Sequence, residues 1–312
     1  MSTAFVFPGQ GAQTIGMGKA LADAYPAAQA IFDEVDEALG EKLSALIWEG
    51  DIAELTLTQN AQPALMATSM AAVRALEAEG VTMGAASFVA GHSLGEYSAL
   101  AAVGAISVAD TARLLRTRGQ AMQSAVPVGE GAMAAILGLD LDAVRAVAEE
   151  AAQGDVCQAA NDNDPMQVVV SGTKAAVERA AEIAKEKGAK RAIMLPVSAP
   201  FHCALMQPAA DAMAEALASV TVNAPAVPVI ANVRAEAVTD PDTIRQLLVE
   251  QVTGSVRWRE SVQYMAAQGV TEAWEIGAGK ALSGMIRKID RSIASKAVGT
   301  PEDVQKVVQN DS

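Results

Sequence analysis

The chain has 312 residues, of which 51% are hydrophobic and 19% charged, enough apolar material for a substantial core and too much for a disordered tail. Its 23 Lys and Arg stand against 37 Asp and Glu, a formal charge of −14. That balance excludes nonspecific nucleic-acid binding, which needs a basic field to displace counterions from phosphates.

In chain order, Thr3 to Phe7 reads as a short buried strand stopped by Pro8 and Gly9. Ala61 to Gly80 is a predicted helix rich in Ala, Leu and Met and closed by glycine. Ala86 to Ala90 is a strand, Leu94 to Val103 a helix directly behind it, and Ser107 to Ser124 a further helix carrying Arg113, Arg116 and Arg118. Strands alternating with helices imply a mostly parallel α/β sheet. The rhythm then changes: strand 131–137, helix 140–152, strands 156–160 and 167–171, helix 173–187 and strand 191–195. That βαββαβ order is the ferredoxin-like pattern. After Pro200 the first rhythm resumes, with a helix from about Cys203, a strand near 227–230, helices near Asp240 and Val256, a strand near 272–276 and a helix from Lys280. The fold class expected is α/β, with an α/β-hydrolase-like large subdomain and an inserted ferredoxin-like small subdomain. The divisions fall at 1–127, 128–197 and 198–312.

Several chemistries are excluded by shortage. Two cysteines, Cys157 and Cys203, make neither a disulfide framework nor a thiolate zinc site. Two histidines, His92 and His202, with no clustered metal-ligand spacing, leave no catalytic metal centre. Gly9-Gln-Gly11 begins like a dinucleotide fingerprint but has Thr14 where the third glycine belongs, and Gly11 to Gly16 has P-loop spacing with Met17 in the place of the lysine. The first ten residues lack the basic region and apolar core of a signal peptide, and the most apolar later stretch, 89–109, carries His92, Glu96 and Tyr97. A reduced, cytoplasmic protein without membrane contact is expected, with no bound cofactor.

Gly91-His-Ser-Leu-Gly95 is G-x-S-x-G between a predicted strand and a predicted helix. That is the setting of a nucleophile elbow, whose glycines allow a strained turn that exposes a serine hydroxyl. A serine needs a base. His92 is adjacent, but neighbouring side chains diverge on a sharp turn, so packing or pocket lining suits it better. His202, 109 residues after Ser93, is the remaining candidate. No histidine follows it, so the late histidine of a standard α/β-hydrolase triad is missing and a generic esterase becomes the second reading. A binding protein with a dead site is a third.

Phe7-Pro-Gly-Gln-Gly11, Gly91-His-Ser-Leu-Gly-Glu-Tyr97, Arg118-Gly119, Gly131-Ala-Met-Ala134, Gln167-Val-Val-Val-Ser-Gly172, Ser198-Ala-Pro-Phe-His202, Val256-Arg-Trp258 and Glu275-Ile-Gly-Ala-Gly-Lys280 occur in this order across nearly the whole chain. In this combination they resemble the malonyl-CoA:acyl-carrier-protein transacylases. The resemblance implies ping-pong transfer of malonyl from malonyl-CoA, through malonyl-Ser93, to the phosphopantetheine thiol of acyl carrier protein in fatty-acid or polyketide synthesis. His202 would be the base, oriented by a backbone carbonyl at Gln251, and the amides of Gln10 and Leu94 would bind the oxyanion. For Gln251 an ordinary helix-end amide is the competing reading. The chain departs from the family at Gly254-Ser255, where relatives carry Asn-Pro.

Arg118 matches the group that binds the malonyl carboxylate, a role suited to a guanidinium fork, while Arg113 and Arg116 are expected to be solvated. Phe201 matches the residue beside the base in malonyl-selective members. Met122, one turn beyond Arg118, lines the same pocket or simply packs. Asn161 and Asn163, in Asn-Asp-Asn-Asp-Pro165, face the substrate in relatives, although an Asx turn explains the composition as well. Cys203 is read as a buried thiol. Lys187, Lys190 and Arg191 with Arg287 and Lys288 are candidates for docking an acidic carrier, or else solvated helix ends. A monomer is expected.

Overall fold

The computed structural model describes residues 2–310. Its strands are β1 (Ser2–Phe7), β2 (Phe88–Gly91), β3 (Gly131–Leu137), β4 (Cys157–Asp164), β5 (Gln167–Thr173), β6 (Arg191–Met194), β7 (Val229–Ala231), β8 (Glu236–Val238), β9 (Val270–Ile276) and β10 (Ala294–Val298). Six of them form one sheet in the order β10-β9-β1-β2-β7-β8, parallel throughout except for the β7–β8 pair. A parallel sheet has to be covered on both faces, and β1 shows how. Phe5 and Phe7 join the core beneath helices Pro26–Leu39, Thr58–Ala78 and Val108–Ser124, whereas Ala4 and Val6 pack on the opposite face with Trp258, Val262 and Ile286.

The other four strands form an antiparallel sheet in the order β4-β5-β3-β6, the ferredoxin-like arrangement. Helices Leu141–Ala152 and Lys174–Glu186 cover one face through Val144, Val147, Val177 and Ala180. Asp140 and Thr173 cap these helices by accepting from Ala143 N and Ala176 N.

β4 runs four residues past its expected end at Ala160. Asn161 to Asp164 are strand, interrupted by register shifts, rather than a closing turn. The reason is a second partner: Val256 N donates to Ala160 O (2.8 Å) and Asp162 N to Val256 O (2.9 Å). Arg259 and Lys288 pair with the buried carboxylates of Asp162 and Asp164 at 2.9 and 3.1 Å. The strand thus stays paired with β5 and also bridges to Val256, in the segment that leads into the helix Trp258–Ala267.

Four helices between Lys19 and Thr56, strands β8 and β10 and the helix Pro301–Asn310 were not anticipated. The helix expected from Ala61 begins at Thr58, and the one expected at Cys203 begins at Gln207 after a 3-10 turn over Ala204–Met206. Arg116 is not solvated; its side chain is 16% exposed and ties Asn60 to Glu41. Among the described residues no helix is long and apolar enough to cross a membrane.

β1 and β2 lie side by side with Phe7 opposite Gly91, so the turns that follow them, Pro8–Gly11 and His92–Leu94, emerge together at the carboxyl edge of the sheet. Later strands lie outside this central pair, β9 beyond β1 and β7 beyond β2, which is where open α/β sheets leave a crevice. Close approach behind β1 requires a glycine, because a Cβ on Gly95 would stand 2.3 Å from Phe7 O and 2.9 Å from Pro8 O. The Gly95→Ala variant should therefore lose about 1–3 kcal/mol, the scale of overpacking against unyielding neighbours. A melting temperature within a degree of the parent would contradict it.

Candidate active site

Ser93 occupies a left-handed backbone conformation with φ of 54°, which costs a non-glycine residue about 1–3 kcal/mol unless its surroundings impose it. They do. A Cβ on Gly91 would lie 1.9 Å from the Gly95 carbonyl, so the turn closes only on glycine. Asn232, just past β7, brackets it: its Oδ1 accepts from Ser93 N at 2.8 Å and its Nδ2 donates to Gly91 O at 2.7 Å.

His202 also has positive φ, 56°. Its Nε2 lies 2.7 Å from Ser93 Oγ and its Nδ1 2.8 Å from the carbonyl oxygen of Gln251. A carbonyl only accepts, so Nδ1 carries the proton and Nε2 is left to accept from the serine hydroxyl. Burial, reinforced by the Arg118 charge, holds the imidazole down to about 3, so the ring is neutral at physiological pH. The Gly254-Ser255 departure leaves the contact between His202 and Gln251 in place, with Gly254 N donating to Glu250 O at 2.9 Å.

Arg118 is buried, 1% exposed. Its Nη1 donates to Gln62 Oε1 (2.7 Å), and its Nη2 donates to Gln251 Oε1 (2.7 Å) and to Ser93 Oγ (3.1 Å). Nε has no partner, and the ring of Tyr97 lies 5.5 Å away. These contacts are neutral. A buried charge held this way is costly and invites an anion.

The Gln251 side chain closes the network. Its Nε2 donates to Glu96 Oε2 (2.8 Å) and Ser93 O (3.0 Å), with Asn232 Oδ1 at 3.3 Å. Burial pushes the Glu96 carboxyl up to about 7.

A cavity of about 530 Å³ opens onto Ser93 and His202, lined also by Gln10, His92, Leu94, Arg118, Met122, Asn161, Asn163 and Phe201, by 195–197 and by Ala281, Leu282 and Met285. The backbone amides of Gln10 and Leu94 donate to no protein acceptor among the described residues. His92 Nε2 donates to Asn163 Oδ1 at 2.7 Å, and Met122 Sδ accepts from Gln62 Nε2 at 3.6 Å. Cys203 is buried and its thiol donates to Pro200 O. Lys190, Arg191, Arg287 and Lys288 are exposed and lie outside the cavity lining. Lys187 pairs with Glu150, and Lys288 with Asp164. No three metal-ligating side chains cluster among the described residues.

Sequence reasoning missed Asn232, Glu96 and Gln62. A charged Glu96 in Leu-Gly-Glu-Tyr-Ser-Ala-Leu was a visible anomaly, whereas Gln62 follows Thr58, Gln59 and Asn60 and does not stand out. Nothing local marks Asn232.

An acyl transferase domain family model matches residues 4–308. The malonyl CoA-acyl carrier protein transacylase of Bacillus subtilis (strain 168) is 51% identical over 307 residues, covering 98% of this chain and 96% of that one. The crystal structure of an acyl-carrier-protein-S-malonyltransferase from Bartonella henselae is 56% identical, with a TM-score of 0.97 over 99% of each chain. A malonyl-transacylase solved in complex with its type II PKS acyl-carrier protein is 42% identical with a TM-score of 0.96, covering 99% of this chain and 100% of that one.

His202 is held near 3 and His92 is lowered by burial as well. The His202 imidazole signals should show no titration by NMR from pH 5 to 8; a His202 midpoint near 6.5 would mean that the ring is not buried as described.

Proposed function

The chain belongs to the acyl transferase domain family, and on that footing we propose that it carries malonyl from malonyl-CoA to the phosphopantetheine thiol of acyl carrier protein through a malonyl-Ser93 ester. The observation that carries this reading is the pairing of a serine–imidazole couple with a buried cation. Ser93 Oγ lies 2.7 Å from His202 Nε2 and 3.1 Å from an Arg118 guanidinium that has only neutral partners.

In the first half-reaction His202 Nε2 takes the Ser93 proton as Oγ attacks the thioester carbon. The amides of Gln10 and Leu94 donate to the oxyanion, each worth about 3 kcal/mol in sites of this kind. As the intermediate collapses the C–S bond breaks, and the imidazolium returns its proton to the CoA thiolate. In the second half-reaction His202 deprotonates the carrier thiol, sulfur attacks the malonyl-serine carbonyl, and Ser93 leaves with the proton. One thioester replaces another, so the overall exchange is close to balance and needs no bound cofactor. The Gln251 carbonyl takes the orienting part that a carboxylate plays in other serine enzymes.

Arg118 supplies the missing ion pair. A malonyl carboxylate entering beside Ser93 meets a fork suited to bidentate binding, and a neutral acyl group leaves the charge uncompensated. Phe201 and Met122 give the acyl pocket its apolar wall, and Asn161 offers an amide to the incoming thioester arm. The enzyme so proposed acts in the cytoplasm as a monomer. Carrier docking is assigned to the exposed cations Lys190, Arg191, Arg287 and Lys288.

The direct test is intact mass after mixing with malonyl-CoA alone, then with phosphopantetheinylated carrier. A malonyl adduct on Ser93 that passes to the carrier is the expected result; an adduct lost to water makes the protein a hydrolase. Reversing Lys190 and Arg191 to Glu should raise the carrier KM about tenfold, at ~0.5–1 kcal/mol per surface charge, with acylation by malonyl-CoA unchanged. An equal loss in both half-reactions would remove the docking assignment.

A further inference from the structure

The Gln251 carboxamide stands between opposite charges. Its oxygen accepts from Arg118 Nη2 (2.7 Å), and its nitrogen faces Glu96 Oε2 (2.8 Å), Ser93 O (3.0 Å) and Asn232 Oδ1 (3.3 Å). The nitrogen has two hydrogens for three acceptors, and of the three only Glu96 carries a carboxylate. Carboxamide oxygen and nitrogen are close to isosteric, so nothing steric prevents a half-turn of the group. A flipped carboxamide would set N–H against the guanidinium and its oxygen against three acceptors. All four groups favour the observed orientation, and Glu96, the one charged acceptor, is the strongest of the three acceptors that hold it. It is itself fixed, because the same Oε2 accepts from Asn232 N at 3.1 Å, and it is 3% exposed.

We propose that Glu96 is a positioning residue for acyl-group selection: its carboxylate fixes which way the Gln251 carboxamide faces, and the carboxamide in turn holds the Arg118 guanidinium beside Ser93. The proposal rests on Arg118 as the carboxylate-binding group. It separates two jobs of one residue. The Gln251 backbone carbonyl holds His202, so the imidazole does not depend on the side chain's orientation, whereas Arg118 does. Losing the anion costs Arg118 one of its three acceptors and Ser93 O its Gln251 donor, while Asn232 still holds the Ser93 amide and the Gln251 carbonyl still holds His202.

The test is Glu96→Gln, which keeps shape and removes charge. Burial opposes ionisation of Glu96, so a neutral side chain is easier to bury there and the variant should melt no lower than wild type at pH 8. Acylation of Ser93 is measured with malonyl-CoA and acetyl-CoA, alongside modification by phenylmethylsulfonyl fluoride, a neutral serine reagent that makes no use of a carboxylate clamp. The expected result is a roughly tenfold fall in malonyl-over-acetyl selectivity, most of it in the malonyl KM, with the neutral reagent reacting within twofold of wild type. In a Gln251→Leu background the same Glu96 change should have no further effect on selectivity, because the intermediary is gone.

Unchanged selectivity in Glu96→Gln while Arg118→Ala loses it overturns the positioning role alone. Selectivity retained in Arg118→Ala overturns the carboxylate-clamp reading and the proposal with it. A fall in the neutral reagent's rate that matches the malonyl loss, or an additive effect in the Leu background, means Glu96 supports the elbow generally and does not act through Gln251.

Discussion

Burying the Arg118 charge with no anion in hydrogen-bond contact requires neutral dipoles to meet its fork, and three separate elements supply them. Gln62 comes from the helix Thr58–Ala78, Gln251 from the end of the helix Pro241–Thr253, and Ser93 from the turn after β2. The helix that carries Arg118 packs against the first of these tightly enough that a Cβ on Gly119 would lie 2.5 Å from the Gln59 backbone. The guanidinium is thus fixed from both sides before any substrate arrives. Preorganisation of this kind moves the cost of ordering a long side chain from the binding step to folding, and it leaves a desolvated cation whose natural complement is a carboxylate.

Both reacting side chains ride on backbone that ordinary residues avoid, and the two strained points are held by different parts of the molecule. Ser93 is gripped by Asn232 and by glycines that admit no Cβ. His202 follows Pro200, whose ring sits so near Gly131 that a Cβ there would lie 2.4 Å from Pro200 Cδ. Gly131 opens β3, so the small sheet backs the loop that carries the imidazole. The bridge from Ala160 and Asp162 to Val256 ties that sheet to the segment between Gln251 and Trp258. The 2.7 Å Ser93–His202 contact therefore spans both sheets, and it depends on their being locked together.

What the sequence disclosed follows the same division between local and distant causes. β3 was readable to the residue, and Ser107, Asp140 and Thr173 mark helix starts because capping is written in one residue and its next three neighbours. Three of the helices between Lys19 and Thr56 are five to seven residues long, too short for periodicity to separate them from loop, whereas Pro26–Leu39 carries Ala28, Ile31, Phe32 and Val35 at helical spacing and was legible though not read. The Ser93 elbow was legible because its glycines and flanking elements are contiguous. Glu96 stood out as a charge in an apolar stretch, but its partners and those of Asn232 lie 136 to 155 positions away and only the finished sheet brings them within reach. Arg116 and Arg118 show the limit from the other side: two arginines on one helix, two residues apart, one tying surface elements together and the other sealed in the site.

The pressure of burial on the titrating groups gives the site a defined relation to stability. Glu96 is raised from 4.5 to about 7 and His202 lowered from 6.5 to about 3. Between 4.5 and 7 the folded chain keeps a Glu96 proton that the unfolded chain has released, so Glu96 makes stability fall as pH rises. Between 3 and 6.5 the unfolded chain holds a His202 proton that the folded chain refuses, so His202 makes stability rise with pH. From about 4.5 to 6.5 these slopes have equal magnitude and opposite sign, and together the two groups contribute nothing to the pH dependence. Below that window His202 acts alone and above it Glu96 does. At neutral pH the fold therefore carries most of the Glu96 penalty while His202 is already a free base. A site that buries one permanent charge beside a neutral imidazole and a reluctant carboxylate is electrostatically suited to a substrate anion.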